Sequence, residues 1–283
     1  MKISIILGAY KSENDLFNVL KHLGSLNYTN YEVLVACDCI EQDLTMLPLV
    51  LPTCNWKKLC INTSKKRRGI VKALNSVLKE AKGEIIVHFA VDRRFTRKDA
   101  LKKIAKHFED PFVGGILFDM AHPQKRNWSR LAVAQATVVR LVSDWRLEHP
   151  IVENDKFPVI VSAFRRIKGI DDSSINDDAE FAYKILDEGY IIKNVKDVKW
   201  YAYGEPSDFK KVFNRQKRTS KGWLNTKKRR NIDIKGYYFS LFKYYLKNFK
   251  RYSFIDIMLF TMVYSVAMVG AKFSKESITE VWK

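Results

Sequence analysis

The stretch Gly83–Arg94, GEIIVHFAVDRR, constrains the fold more than any other part of the sequence. A turn glycine precedes an apolar run from Ile85 to Val87, and a single carboxylate, Asp92, follows it. Such a run after a helical segment is typical of a strand buried in a parallel sheet. Ligands of open α/β sheets bind beyond the carboxyl ends of the strands, so Asp92 is a candidate ligand-binding residue. The alternative is that Asp92 caps a helix beginning near Arg97.

Strand and helix patterns alternate over the first hundred residues. Apolar runs at residues 2–9, 31–37 and 58–61 predict strands, and helical spacing predicts amphipathic helices at 69–82 and 97–108. This alternation is typical of a parallel, nucleotide-binding type of sheet. The chain contains neither GxGxxG nor GxxxxGK[ST], so a dinucleotide site and a P-loop are poorly supported.

The positive charge is concentrated near the C-terminus. The formal net charge is +19, and residues 206–283 contain 18 Lys/Arg against 5 Asp/Glu. This asymmetry indicates an anionic partner: nucleic acid, an acidic membrane surface or a phosphorylated substrate. The four cysteines lack the spacing of a disulfide framework or a zinc site, which predicts reduced thiols in the cytosol. The N-terminal apolar run is too short for a signal peptide.

The last fifty residues differ from the rest. Aromatic residues alternate with lysines from Tyr237 to Tyr252, as in an interfacial amphipathic helix, and residues 253–271 form an apolar run whose only charge is Asp256. That run is roughly long enough to span a bilayer. A helix packed back on the domain is the alternative. The basic cluster at 227–230 favours the cytoplasmic surface of a membrane, and the position of these basic residues beside an apolar helix argues against a nucleic-acid binder.

Three carboxylates lie within four positions: Asp177, Asp178 and Glu180. Acidic residues in the first turn of a helix suit the helix dipole, which is a purely structural explanation. Their mutual repulsion nevertheless requires a nearby cation, so we expect a Lys/Arg partner or a bound metal.

The segments ISIILGAYKSEN, Ala36-Cys37-Asp38, AKGEIIVHF and Asp177-Asp178-Ala-Glu180 follow one another between Lys2 and about Trp223. In this order and spacing they resemble glycosyltransferase family 2. The resemblance implies a GT-A fold, with a mixed, mainly parallel sheet flanked by helices. ISIILGAYKSEN resembles the family's opening strand and turn, and it implies that Ala9, Tyr10 and Glu13 line a nucleotide pocket. Ala36-Cys37-Asp38 resembles the family's Val-Asp-Asp, which gives Asp38 the contact to the base.

The resemblance also assigns the remaining donor-site residues. The segment from Gly69 to Asn75 is similar to the family's glycine-to-asparagine helix start and implies that Asn75 contacts the donor. The family's Asp-x-Asp metal motif falls on Ala90-Val91-Asp92, so Asp92 is the implied ligand of Mg²⁺ or Mn²⁺. Positive charge from Arg93 and Arg94 is the alternative means of neutralising the diphosphate.

Two further segments carry the implied chemistry. Asp177-Asp178-Ala-Glu180 resembles the family's Glu-Asp-x-Glu, in which the second acid, here Asp178, is the general base. Arg215-Gln-Lys-Arg218 and Gly222 resemble part of a Gln-Arg-x-Arg-Trp segment, with threonine in place of tryptophan, and imply that Arg218 contacts the diphosphate. The departures at Cys37, Ala90 and Thr219 leave an inactive relative that binds a nucleotide or partner as an alternative.

The sequence thus predicts a glycosyltransferase domain at residues 1–224 and a membrane-associated tail at 225–283. The resemblance implies an inverting enzyme that moves a sugar from a nucleoside-diphospho sugar to a hydroxyl or phosphate acceptor. The basic, amphipathic tail adds the expectation that the acceptor is a lipid-linked or cell-surface glycan at the cytoplasmic face of the membrane. A nucleotidyltransferase on a similar sheet is the less favoured enzyme class.

Overall fold

A computed structural model describes residues 1–10, 13–39, 54–120, 129–148, 160–172, 174, 176–202 and 208–273. The strands are β1 Ile3–Tyr10, β2 Tyr31–Asp38, β3 Lys58–Ser64, β4 Ile85–Ala90, β5 Arg93–Phe95, β6 Val113–Met120, β7 Ala163–Arg165 and β8 Ile191–Ala202. The helices are α1 Glu13–Gly24, α2 Ile70–Leu78, α3 Ala100–His107, α4 Arg130–Glu148, α5 Asp177–Asp187, α6 Phe209–Arg230, α7 Ile234–Lys247 and α8 Phe254–Phe273, with a 3₁₀ turn at Phe249–Arg251 between the last two.

The strands form one sheet in the order β3-β2-β1-β4-β7-β6-β8-β5. The pairs β1–β2, β1–β4, β2–β3 and β6–β8 are parallel, and the pairs that involve β5 or β7 are antiparallel. The predicted mixed, mainly parallel sheet is therefore confirmed. Strand β4, which contains the Ile85–Val87 run, lies in the interior of the sheet between β1 and β7.

Alternation along the strands divides the core between the two faces of the sheet. In β1, Ile3, Ile5 and Leu7 pack with α1 and α3, whereas Ile6 packs with α2 on the opposite face. The central parallel strands are covered on both sides, so their sequences read as continuous apolar runs. This is why the strand predictions at the N-terminal half lie close to the observed elements.

Helices α4, α6, α7 and α8 form a layer beside the sheet. Helix α8 packs against α4 and α6. Its Asp256 is buried, lies 2.8 Å from Arg130 Nη2 and accepts a hydrogen bond from the Thr137 hydroxyl at 3.3 Å. Trp145 of α4 donates to Ser240 of α7 at 3.1 Å. The predicted apolar segment thus packs on the domain through one face.

The structure corrects several predictions. Asp92 lies in the turn between β4 and β5, and α3 begins only at Ala100, so Asp92 does not cap that helix. The predicted division between residues 224 and 225 falls inside α6. Strand β5 was not predicted.

Candidate functional site

The carboxyl ends of β1 and β4 open into a cavity of about 770 Å³. The first turn of α5 and the middle of α6 complete its polar part. The charged or titratable side chains that line the cavity include His88, Asp92, Arg93, Arg146, Asp177, Asp178, Arg215 and Arg218. The position agrees with the rule that α/β sheets bind ligands beyond their strand ends. Three residues predicted from the sequence, Asp92, Asp178 and Arg218, are thus brought together.

Asp92 is half-buried at the cavity wall, and Arg93 Nε lies 3.6 Å from its Oδ1. The Arg93 guanidinium also lies over the Trp200 ring, at 5.4 Å from the centroid. Arg94, in contrast, is buried and donates to the carbonyls of Val91 and Arg93 at 2.8 and 2.6 Å. Of the two adjacent arginines considered for the diphosphate, Arg93 lines the cavity and Arg94 stabilises the β4–β5 turn.

Asp177, the first acid of the cluster, pairs with a histidine rather than with the expected lysine, arginine or metal. His88 Nε2 lies 3.2 Å from Asp177 Oδ2. Burial alone would lower the pKa of His88, but Asp177 and Asp178 raise it above its ordinary value. Burial alone would raise the pKa of Asp177, but His88 lowers it. The His88–Asp177 pair is therefore ionic over a wider pH range than the separate groups would allow.

Asp178 has a different environment from its neighbour. Burial, and then the negative charge of Asp177, raise its pKa from 3.8 to about 6. Positive charge on His88 and Arg146 opposes the shift without cancelling it. A carboxylate with a pKa near the working pH is suited to accept a proton. Two adjacent acids are thus given different proton affinities by their surroundings.

Glu180, the third acid, is buried and paired with the end of α6. Its carboxylate oxygens lie 3.3 Å from Arg229 Nη1 and 3.8 Å from Arg230 Nη2. These arginines also pair with Asp171 and Asp187. Half of the basic cluster at 227–230, which the sequence associated with a membrane, is therefore used to hold α6 against α5.

The cavity wall formed by α6 is strongly positive. Burial, and then repulsion from Arg215, lower the pKa of Arg218 to about 10, and Arg67 adds to the repulsion. The Arg67 guanidinium lies over the Tyr10 ring, 4.2 Å from its centroid. Cations held close together against their mutual repulsion favour an anionic ligand between them. This cluster joins Tyr10, at the end of β1, to Arg218.

Other predicted donor residues lie outside the cavity wall. Ala9 is buried in the core on the α1 face. Asp38 is buried and accepts hydrogen bonds from the backbone and Nε of Arg68 at 2.7 and 2.8 Å and from Gly69 N at 3.2 Å. Asn75 holds the loop at 169–172, donating to Ile170 O and Asp172 Oδ1 at 2.7 Å and accepting from Ile170 N at 3.1 Å. The side chain of Glu13 lies outside the described residues.

Sequence reasoning did not select four charged residues of the site as ligands: His88, Arg67, Arg215 and Arg146. His88 alone carries a local signal, because a histidine interrupts the apolar run of β4. Arg67 belongs to a basic run before α2, and Arg146 is one of five charged residues of the long helix α4, so neither stands out in the sequence. Their roles arise from contacts between residues far apart in the sequence.

The donor set for a metal ion is small. Among the described residues, no three His, Cys, Asp or Glu side chains are grouped closely enough to hold an ion. Asp92 supplies one carboxylate at the cavity. Mg²⁺ at nucleotide sites is commonly held by one or two carboxylates, with substrate phosphates and water completing its shell. The residues present fit an ion that is shared with a bound diphosphate.

The fold is that of GT-A glycosyltransferases. PcManGT, a mannosyltransferase from Pyrobaculum calidifontis in complex with GDP-Man and Mn²⁺, aligns with a TM-score of 0.60 and 18% identity over 98% of this chain and 77% of that chain. S. aureus TarS aligns with a TM-score of 0.55 and 17% identity over 80% of this chain and 44% of that chain. S. aureus TarS 1–349 in complex with UDP-GlcNAc aligns with a TM-score of 0.52 and 17% identity over 80% of this chain and 67% of that chain.

The sequence places the chain within a family of these enzymes. The model of glycosyl transferase family 2 matches residues 4–168, more than half of the chain, and the protein belongs to this family. The comparison with curated proteins gives no significant match. The family predicted from the sequence is thus confirmed, as is the GT-A fold.

Proposed function

We propose that this glycosyltransferase moves a sugar from a nucleoside-diphospho sugar to a hydroxyl group, with inversion at the anomeric carbon. The observation that carries the proposal is that one cavity contains both Asp178, with its raised pKa, and the arginine cluster of α6. The first group suits an acceptor that must lose a proton, and the second suits a leaving diphosphate.

The reaction requires one displacement. The acceptor oxygen attacks the anomeric carbon while its proton passes to the Asp178 carboxylate. The bond from that carbon to the diphosphate oxygen breaks, and the electron pair leaves with the diphosphate. Arg215 and Arg218 offset the negative charge that develops there. Attack from the face opposite the leaving group inverts the configuration. A phosphate acceptor needs no base, so Asp178 favours a hydroxyl as the reacting group.

Asp92 is the residue that would hold Mg²⁺ or Mn²⁺ together with the donor. When bound, the cation would act as a Lewis acid that withdraws negative charge from the diphosphate. Arg93, at 3.6 Å from Asp92, is close enough to exchange its ion pair with the carboxylate for one with the phosphates. Donor and cation are therefore expected to bind together.

The C-terminal helices support a membrane location. Helix α8 has 20 residues and is apolar enough to span a membrane by length and composition. Its buried Asp256 pairs with Arg130 of α4, whereas Ile255, Met258, Met262, Val266, Val269 and Phe273, spaced three or four residues apart, are each more than half exposed. We therefore propose that α8 lies along the cytoplasmic surface of the membrane, with this stripe, here called the apolar face, in the lipid.

The test is thermal stabilisation of the full-length protein by nucleoside diphosphates and their sugars, including GDP-Man and UDP-GlcNAc, with and without Mn²⁺. A ligand that binds the native state raises Tm by mass action. We expect stabilisation by one nucleotide, dependent on Mn²⁺ and strongly reduced in Asp92→Ala. Asp99→Ala, which removes an aspartate outside the cavity lining, is the matched control.

The outcomes separate the alternatives. Stabilisation without Mn²⁺ that survives Asp92→Ala would transfer the diphosphate contact to Arg93, Arg215 and Arg218. Absence of stabilisation by every nucleotide would contradict a donor site and favour an inactive relative.

A further inference from the structure

The same cavity has a second, apolar part. Beyond Asp178 it is lined by side chains of α4, α7 and α8, among them Val138, Val142, Leu241, Phe242, Ile257 and Met268. The donor chemistry described above does not need this part, because a nucleotide and a sugar are polar. Apolar surface of this kind favours a hydrocarbon ligand, with about 0.8 kcal/mol for each methylene group that it removes from water.

The apolar part is continuous with the reacting groups. Arg146 of α4 lines the cavity, is buried, and is close enough to Asp178 to lower its pKa. It is also close to Tyr237, which lines the cavity on the α7 side. A ligand that extends from Asp178 into the apolar part therefore passes Arg146, which suits a polar or anionic group between a reacting hydroxyl and a hydrocarbon chain.

The apolar part also reaches the protein surface beside the apolar face. Phe242 of α7 and Thr261 of α8 both line the cavity and are exposed. Met262, the next residue after Thr261, belongs to the apolar face. A hydrogen bond of 2.8 Å between the hydroxyls of Tyr238 and Tyr264 joins α7 and α8 at this rim. The opening is thus next to the surface that the proposed function places in lipid.

Charge around the opening fits an anionic membrane. Residues 225–273 contain ten Lys/Arg and two Asp/Glu, and one of the two acids, Asp256, is buried and paired. Lys235, Lys243, Lys247 and Lys250 are exposed. An acidic bilayer offers both a hydrocarbon interior and an anionic surface, whereas the surface of a protein partner need not offer both.

We propose that the apolar part of the cavity binds the hydrocarbon chain of the acceptor, a membrane lipid whose hydroxyl-bearing head group reaches Asp178. The inference rests on the proposed transferase function and names its acceptor class. The lipid enters between α7 and α8 without leaving the membrane, so the reaction takes place at the bilayer surface. Arg146 is a positioning residue for the polar linkage between chain and head group.

The test measures binding of n-hexyl, n-octyl, n-decyl and n-dodecyl β-glucoside to the full-length protein, each below its micelle concentration. We expect the apparent Kd to fall about fourfold for each added methylene, the equivalent of ~0.8 kcal/mol, until the chain exceeds the cavity. Thr261→Trp on α8 and Val138→Phe on α4, which each add bulk to the lining of the cavity, should each weaken dodecyl glucoside binding at least tenfold.

Three controls identify the source of any change. Ser265→Trp adds the same side chain one turn from Thr261 at a position that does not line the cavity, and it should leave binding unchanged. Met262→Glu weakens non-specific adsorption of the alkyl glucosides to the apolar face. It should also leave the binding of glucoside monomers in the cavity unchanged. Stabilisation by the donor nucleotide, measured on every variant, verifies that the donor site is folded.

Chain-length dependence that persists in both filling variants, or that is abolished by Met262→Glu, would overturn the proposal. Donor binding without any dependence on chain length would overturn it while leaving the transferase function intact. Loss of donor binding in the wild-type protein would instead contradict the transferase function itself.

Discussion

The carboxylate of Asp177 lies 3.2 Å from Nε2 of His88, so an ion pair ties the first turn of α5 to the C-terminal half of β4. The pair keeps Asp177 ionised, and its negative charge adds to the burial that raises the pKa of Asp178 to about 6. The contact thereby gives two consecutive acids different proton affinities, as the proposed role of Asp178 in proton transfer requires.

Replacing Asp178 by asparagine should reduce kcat by about 10²–10⁴-fold, because the isosteric amide cannot accept the acceptor proton. Steady-state kinetics measures the loss in kcat. Titration with the donor measures its Kd, which should change little. Asp187→Asn, at the other end of α5, is the matched control and should retain activity. Turnover retained in Asp178→Asn would exclude this residue as the base.

The same substitution should change stability in a pH-dependent way. The pKa of Asp178 is raised from 3.8 to about 6 on folding, so ionisation costs stability progressively as the pH rises from about 4 to above 6. Asp178→Asn should therefore raise Tm above pH 6, by roughly 2–4 °C for each 1 kcal/mol recovered. The difference should disappear near pH 4, and a constant difference at all pH values would contradict the assigned shift.

The acidic limb of the pH–rate profile should lie near pH 6, where Asp178 loses its proton. Asp177→Asn removes a negative charge and should move this limb to lower pH. His88→Gln removes a positive charge and should move it to higher pH. Profiles of kcat/KM for the two variants check these opposite directions, and shifts of the same sign would contradict the arrangement.

Arg218→Ala should lower kcat/KM for the donor by about a hundredfold, because it removes a half-buried cation that we propose contacts the diphosphate. Arg218→Lys should recover part of the loss, since it restores charge without the planar guanidinium. Lys217→Ala, one position earlier on α6 and outside the cavity lining, should be nearly neutral. Equal kinetic effects at positions 217 and 218 would point to net charge rather than contact.

Met262→Glu should weaken binding to vesicles containing anionic phospholipid at least tenfold, because a side chain that is 63% exposed on the apolar face would bring a charge into lipid. Phe112→Glu, at an exposed apolar position before β6, is the control. Co-sedimentation measures both variants. Truncation after Gly222 is unsuitable, since it cuts α6 within the cavity wall. Equal effects of the two variants would contradict a membrane-facing α8.

The elements of the central sheet follow from local sequence. Ile5–Leu7, Val33–Val35 and Ile85–Val87 are apolar on successive residues, and a strand covered on both faces buries them all. The positions of Asp92 after β4 and of Asp178 in the first turn of α5 are likewise local, because each depends on where one element ends or begins. The family resemblance then supplied a role for each of them.

Tertiary structure alone decided which charges meet. His88 and Asp177, Asp38 and Arg68, and Glu180 and Arg229 are each separated by 30 or more positions, and no local pattern specifies their pairing. The same holds for α8: its composition fits a membrane span, a buried helix and an interfacial helix equally. Its docking through Asp256 to Arg130 depends on the position of α4. Periodicity determines the faces of an element, whereas packing determines what each face contacts.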